Sequence, residues 1–207
     1  MTYKTEQERF WAGEFGDEYL KRNREADTIV ANIAFFTKIL QQTKSVQSVI
    51  EFGANIGMNI EALKSILPHA TMSAIEINEN AAKSLERFLN LNVYHSSILD
   101  FTSASTYDFV LIKGVMIHIN PDELQGVYDS LYKASHRYIC IAEYYNPTPI
   151  EVPYRGHSGK LFKRDFAGEM LDKFSDLQLV DYGFVYHRDN NFPQDDLTWF
   201  LLERHIN

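Results

Sequence analysis

The chain has 207 residues, 45% of them hydrophobic, and its 20 basic and 28 acidic side chains leave a formal net charge of −8. That charge argues against a protein that holds nucleic acid mainly through phosphate contacts, and no uncharged apolar run is long enough to cross a bilayer. A single cysteine, Cys140 between Ile139 and Ile141, excludes an internal disulfide framework and suits a buried strand; with no apolar signal core at the start, a cytoplasmic home is the expectation.

Residues 6–24 place Phe10, Trp11, Phe15 and Tyr19 among charges at helical spacing, and residues 28–42 carry Ile29, Ile33, Phe36 and Leu40 on one face. Alternation then begins. Ser48–Phe52 predicts a strand, 58–67 a helix stopped by Pro68, 71–77 a strand and 79–90 a helix. A short strand is expected at 92–95 and a buried one at Tyr107–Lys113. Pro121, followed by Asp122 and Glu123, suits a helix start, and 137–143 reads as the fifth strand. After Glu143 the pattern changes. Residues 146–163 read as a long polar loop without a period, 166–174 as a helix, and 177–187 and 198–203 as two strands joined only by a loop. The expected class is α/β: a Rossmann-like, mostly parallel sheet of seven strands with an antiparallel hairpin at its edge and amino-terminal helices. One domain is expected, with a helical cap at 1–45, a cofactor-binding core at 46–145, and a substrate loop, helix and hairpin at 146–207.

The stretch Val49-Ile50-Glu51-Phe52-Gly53-Ala54-Asn55-Ile56-Gly57-Met58-Asn59 carries the chemistry, with Glu76 about twenty residues further on. An apolar run that stops at an acid-x-Gly turn and opens into a helix suits an adenosine-type cofactor. Gly53 and Gly57 would let the backbone approach a ligand, although either alone would equally suit a turn or helix packing. Glu76, at the end of the next strand, can accept hydrogen bonds from both ribose hydroxyls. This order is shared by NAD-binding folds and by S-adenosylmethionine (SAM) methyltransferases. The closing hairpin favours the second, and no arginine near Glu76 awaits the 2′-phosphate of NADP.

Over 48–204 the chain resembles class I SAM-dependent methyltransferases, through Glu51-Phe52-Gly53-Ala54-Asn55-Ile56-Gly57, Glu76, Tyr107 to Gly114, and Val115-Met116-Ile117-His118-Ile119. More narrowly, Phe10-Trp11-Ala12-Gly13-Glu14-Phe15-Gly16-Asp17-Glu18-Tyr19 is similar to the start of pseudaminic acid biosynthesis-associated methylases. So are Glu143 to Pro149, Pro153-Tyr154-Arg155-Gly156-His157, Lys163 to Gly168 and Asn191 to Asp196. The resemblance implies SAM as cofactor, held by Glu51, Phe52, Gly53, Asn55, Gly57, Glu76, Ile77, Lys113, Gly114, Val115 and His118. The third glycine of the usual signature is Asn55 here, and Ser96-Ser97 stands where an acid often contacts adenine. That contact then falls to Ser97 and the backbone of Ile98 and Leu99. In this fold class an amino-terminal helix often closes over the cofactor, which would bring Tyr19, Arg22 and Arg24 toward the methionine carboxylate.

Lys113, Gly114 and His118 follow the fourth strand at the sheet edge that faces ligand, and His118 is the first candidate for a general base. Glu143 is a second base candidate, and Tyr144 and Tyr145 end the fifth strand beside it, with Tyr145 a catalytic candidate and Tyr144 a substrate contact. Arg155, His157, Lys160, Lys163 and Arg164, with Tyr154, form a basic loop that reads either as solvated or as a lid for a substrate carboxylate or phosphate. The expected function is methyl transfer from SAM to an oxygen or nitrogen of a small anionic, sugar-related metabolite, by a monomer or homodimer. Two alternatives stand beside it. An NAD-dependent oxidoreductase would need a hydride-handling set such as Tyr-x-x-x-Lys, and the spacing of Tyr128 and Lys133 is wrong for it. A SAM-binding accessory protein without catalysis would keep the same cofactor signature. No metal site, membrane contact or nucleic-acid partner is expected.

Overall fold

The computed structural model describes residues 2–22 and 26–205. In chain order its helices are α1 (Glu6–Ala12), α2 (Glu14–Arg22), α3 (Ala26–Leu40), α4 (Met58–Ile66), α5 (Glu79–Leu85), α6 (Leu124–Ala134) and α7 (Phe166–Lys173). Its strands are β1 (Ser48–Phe52), β2 (Thr71–Glu76), β3 (Leu91–His95), β4 (Tyr107–Lys113), β5 (Ser135–Glu143), β6 (Ile150–Glu151), β7 (Phe162–Lys163), β8 (Leu177–Phe184) and β9 (Thr198–Arg204). Seven strands form one sheet in the order β3-β2-β1-β4-β5-β9-β8, and β6 and β7 pair separately. The pairs among β1 to β5 are parallel, whereas β9 runs antiparallel to both β5 and β8.

The period of two along each strand divides the core between the two faces of the sheet. Val49, Phe109, Leu111, Tyr138, Cys140 and Trp199 pack with Phe35, Phe36 and Ile39 of α3 and Ala62 and Leu63 of α4. Ile50, Phe52, Val110, Ile112, Ile139 and Ile141 pack with Leu124, Val127, Tyr128 and Leu131 of α6 and Met170 of α7. Cys140 is fully buried, and burial pushes its thiol up to about 12. Among the described residues no helix is long and apolar enough to cross a membrane.

Four expectations change in detail. The opening helix breaks into α1 and α2 at Gly13, whose extended backbone (φ −100°, ψ −154°) ends α1, and the chain then folds back so tightly that a Cβ on Gly16 would lie 1.9 Å from the Trp11 carbonyl oxygen. The helix after β2 stops at Leu85, five residues early, and the chain reverses through Asn90 at φ 58. Residues 146–163 contain the β6–β7 hairpin and a further bridge between Tyr154 and His157. Pro121 opens a 3-10 turn, Pro121–Glu123, from which α6 continues.

The start of β1 hangs on one carboxylate of β4. Asp108 Oδ2 accepts from the Gln47 and Ser48 amides and from the Ser48 hydroxyl at 2.9, 3.0 and 3.1 Å. Asp108→Ala should therefore lower unfolding free energy by about 1–3 kcal/mol, seen as a lower urea midpoint at unchanged m-value.

Candidate functional site

The strand order reverses between β1 and β4: the chain leaves β1 toward β2 and β3, and leaves β4 toward β5. In an open α/β sheet such a switch point opens a crevice beyond the carboxyl ends of the two strands. The loops that follow β1, β2, β4 and β5 carry most of the site candidates.

The glycine loop bends as its sequence requires, with positive φ at Gly53 (79°), Asn55 (49°) and Gly57 (84°). A Cβ on Gly53 would lie 2.6 Å from the Val115 side chain, and one on Gly57 would lie 2.5 Å from Phe88 and 2.7 Å from Leu85. The protein's own side chains exclude a Cβ at both positions. At Gly114, also at positive φ (67°), a Cβ would meet no heavy atom within 4 Å.

Two acids flank this loop. Glu76 Oε2 accepts from the Asn55 amide at 2.7 Å and Oε1 from the Asn78 amide at 2.8 Å, so each oxygen keeps lone pairs for a further donor. Burial raises its carboxyl, opposed by these amides and that of Ile77. Glu51 is 1% exposed; Oε1 accepts from the Asn59 side chain at 2.6 Å, while Oε2 has no partner among the described residues. Burial pushes its carboxyl up to about 7, against the pull of Asn59 and Lys113. Phe52 is fully buried against Phe101, so only its backbone faces the loop. Ser97 is buried as well, its hydroxyl accepting the Leu99 amide at 3.1 Å, and Ile98 belongs to the core.

The loop after β4 is held from β5. Glu143 Oε1 accepts the amides of Val115 and Met116, both at 2.9 Å, Oε2 has no partner among the described residues, and burial pushes the carboxyl up to about 7. Glu143 thus positions the loop that presents His118. Lys113 points to the α3 side, 3.4 Å from the Asn32 side chain, and burial lowers its ammonium. His118 is 8% exposed in a one-turn 3-10 helix, Met116–His118. Its Nδ1 lies 2.6 Å from the Lys160 carbonyl oxygen, which can only accept, so Nδ1 carries the proton and Nε2 is the acceptor. Burial lowers this imidazole to about 4, leaving it neutral near pH 7.

The amino-terminal helices roof this edge. Lys4 pairs with Asp100 at 2.6 Å, Gln7 donates to the Gly159 carbonyl at 2.9 Å, and Glu6 pairs with Lys160 at 2.7 Å. Trp11 packs on His118, and Tyr19 on Trp11. Arg24 lies outside the described residues, as does the side chain of Arg22. Of the basic loop, Lys160 is buried against Glu6, and Arg164 is bound to Glu169 at 2.6 Å, which also accepts from the Tyr128 hydroxyl. Arg155 and His157 are exposed, His157 edge-on to Phe10, and Lys163 lies over the Tyr144 ring at 5.0 Å. Burial, then Asp195, Tyr19 and Tyr154, raises the Tyr144 hydroxyl. Tyr145 is exposed, its ring 6.0 Å from that of Phe200. Sequence reasoning missed Asn59, which meets Glu51, and Asn78, which donates to both Glu76 and Asp17. Their signal was there in part: both are side-chain amides in the first turn or cap of the helices after β1 and β2. Among the described residues no group of three or more His, Cys, Asp or Glu side chains is placed to hold a metal ion.

No family model matches the chain, and no curated protein does. Solved structures of the same fold do. The plantazolicin methyltransferase BpumL in complex with SAH is 17% identical, with a TM-score of 0.68 over 97% of this chain and 94% of that one. Coclaurine N-methyltransferase, bound to N-methylheliamine and SAH, is 12% identical, with a TM-score of 0.70 over 91% and 81%. A SAM-dependent methyltransferase of Leishmania major is 16% identical, with a TM-score of 0.69 over 97% and 82%. The likeness establishes the Rossmann-like methyltransferase fold.

The folded protein holds the Glu51 proton more tightly than the unfolded chain, so this residue's contribution to stability falls as pH rises from about 4.5 to about 7 and is level above. Glu51→Gln removes that loss. Its stability advantage over the wild type should grow between pH 5 and pH 8 to on the order of 2 kcal/mol, measured by urea unfolding at both values.

Proposed function

We propose that this chain is a methyltransferase that uses SAM to methylate an oxygen or nitrogen of a small metabolite. The observation that carries the proposal is the pair of buried carboxylates, Glu51 and Glu76, on either side of the positive-φ loop at the switch point. Glu51 keeps an oxygen without a partner and Glu76 keeps free lone pairs. A buried acid in that state calls for donors from a ligand. SAM offers the matching set: two ribose hydroxyls for Glu76 and an ammonium for Glu51, with adenine against the backbone of Ser97 to Leu99. When bound it would supply a methyl group on a positively charged sulfur that leaves as a neutral thioether.

The chain's residues would do the rest. Glu143 fixes the loop after β4, the Lys160 carbonyl fixes the His118 tautomer, and α1 and α2 exclude water from the crevice, which favours an aligned transfer. The SAH-bound state of structures with this fold supports SAM over NAD, as does β9 beside β5 where a nicotinamide fold would more often continue with βαβ units. For the acceptor we favour a small anionic, sugar-related molecule. The sequence resemblance supports this, with Arg155 and Lys163 as its candidate cations. Lys160 and Arg164 contribute less, being neutralised by Glu6 and Glu169.

Calorimetry with SAM and with NAD tests the cofactor. SAM should bind and Glu76→Ala should weaken it at least tenfold, about 1.4 kcal/mol; preference for NAD would sink the proposal. Turnover with any acceptor separates an enzyme from a SAM-binding accessory protein. Because the ligand ammonium favours ionised Glu51, wild-type affinity for SAM should rise with pH up to about 7 and level off above, while Glu51→Gln shows a flat profile.

A further inference from the structure

Trp11 comes from α1, yet its ring lies 4.6 Å from that of His118, and Tyr154 lies 4.8 Å from the same imidazole. Phe15 and Tyr19 meet the indole edge-on at 5.4 and 5.3 Å, and Phe15 is 6.0 Å from Tyr154. The Trp11 carbonyl accepts from the Asn78 side chain at 3.3 Å, and the Asn78 amide in turn donates to Glu76. Trp11 thereby joins the end of β2, where the cofactor carboxylate stands, to the loop after β4, where His118 stands. Its surroundings are otherwise aromatic.

Two polar ring atoms stand out in that lining. The indole Nε1–H of Trp11 is buried with no acceptor among the described residues. Leaving such a donor unpaired is unfavourable unless a ligand completes it. On the adjoining ring, Nε2 of His118 is an acceptor, because Nδ1 donates to Lys160. A hydroxyl seated where it meets both atoms would match this donor and this acceptor. Its O–H donates to Nε2, one lone pair accepts Nε1–H, and the second lone pair stays available to form a bond. An amine nitrogen has a single lone pair, so accepting from Trp11 would withdraw the electrons needed for attack.

We propose that Trp11 and His118 form a hydroxyl-selective acceptor subsite, seating the reactive O–H of a ring-shaped alcohol or phenol against Tyr154 and Phe15. The inference rests on the methyl-transfer proposal above and narrows its accepting atom to oxygen. The oxygen lone pair forms the new C–O bond as the S–C bond of SAM breaks, the electron pair of that bond remains on sulfur, and the hydroxyl proton passes to Nε2. Trp11 selects the nucleophile and His118 takes its proton, while the flanking rings hold the face of the acceptor.

The test is calorimetry on the SAH-loaded protein with three ring anions that differ only at the para position: 4-hydroxybenzoate, 4-aminobenzoate and benzoate. The hydroxyl compound should bind at least tenfold tighter than the other two. Trp11→Phe keeps an aromatic ring and removes the donor, so it should abolish the preference for the hydroxyl compound over benzoate. Equal affinities for the three, no binding by any of them, or a preference that survives in Trp11→Phe would overturn the inference. The SAH titration in the same samples is the separate control. Normal SAH binding without a hydroxyl preference sinks this inference alone, whereas failure of the wild type to bind SAH sinks the proposal beneath it as well.

Discussion

A single buried carboxylate suspends the loop after β4, and the geometry of the crevice follows from it. Glu143 is 2% exposed and spends one oxygen on the amides of Val115 and Met116. Those two bonds set the loop where the Val115 side chain closes on Gly53 and where the next turn presents His118. The loops after β1 and β4 therefore fit together as one surface, fixed from a third strand. Two backbone amides on one carboxyl oxygen, which accepts in either protonation state, make this a firm anchor for so short a loop.

Much of this was legible in the residues. Short continuous apolar runs marked the strands β1, β2, β4 and β5 to within two residues, because parallel strands buried on both faces tolerate little else. The acid-Gly loop and Glu76 were legible for a similar reason: positive φ and a buried carboxylate each restrict which residues fit. What stayed hidden depends on contacts distant in sequence. That Gly53 and Gly57 lack room for a Cβ shows only once Val115 and Phe88 are in place, and the same holds for Gly16 once the chain has doubled back on Trp11. The basic loop looked like a uniform cationic cluster. Pairing with Glu6, some 150 residues away, and with Glu169 on α7 divides it into neutralised and available members.

The crevice also concentrates groups that a stability-optimised protein would avoid. Glu51 and Glu143 each keep a buried oxygen without a partner among the described residues, and burial holds both carboxyls near neutrality instead of in the ordinary acidic range. Such arrangements persist where a ligand supplies the missing donors, and the stability given up in the free protein returns on binding. The two-sided core of aliphatic and aromatic side chains, with Trp199 and Tyr138 fully buried, offsets that local loss.

The shortness of α1 has its own consequence. Seven residues are too few to hold a helix in water, even with the capping box between Thr5 and Glu8. Its helical form rests on the anchors to Asp100, Gly159, Lys160 and the aromatic rings beneath. Roofing the crevice and ordering the amino terminus are therefore one coil-to-helix equilibrium. Any contact that strengthens the docking of Trp11 therefore also raises the helical population of a segment that would otherwise fray.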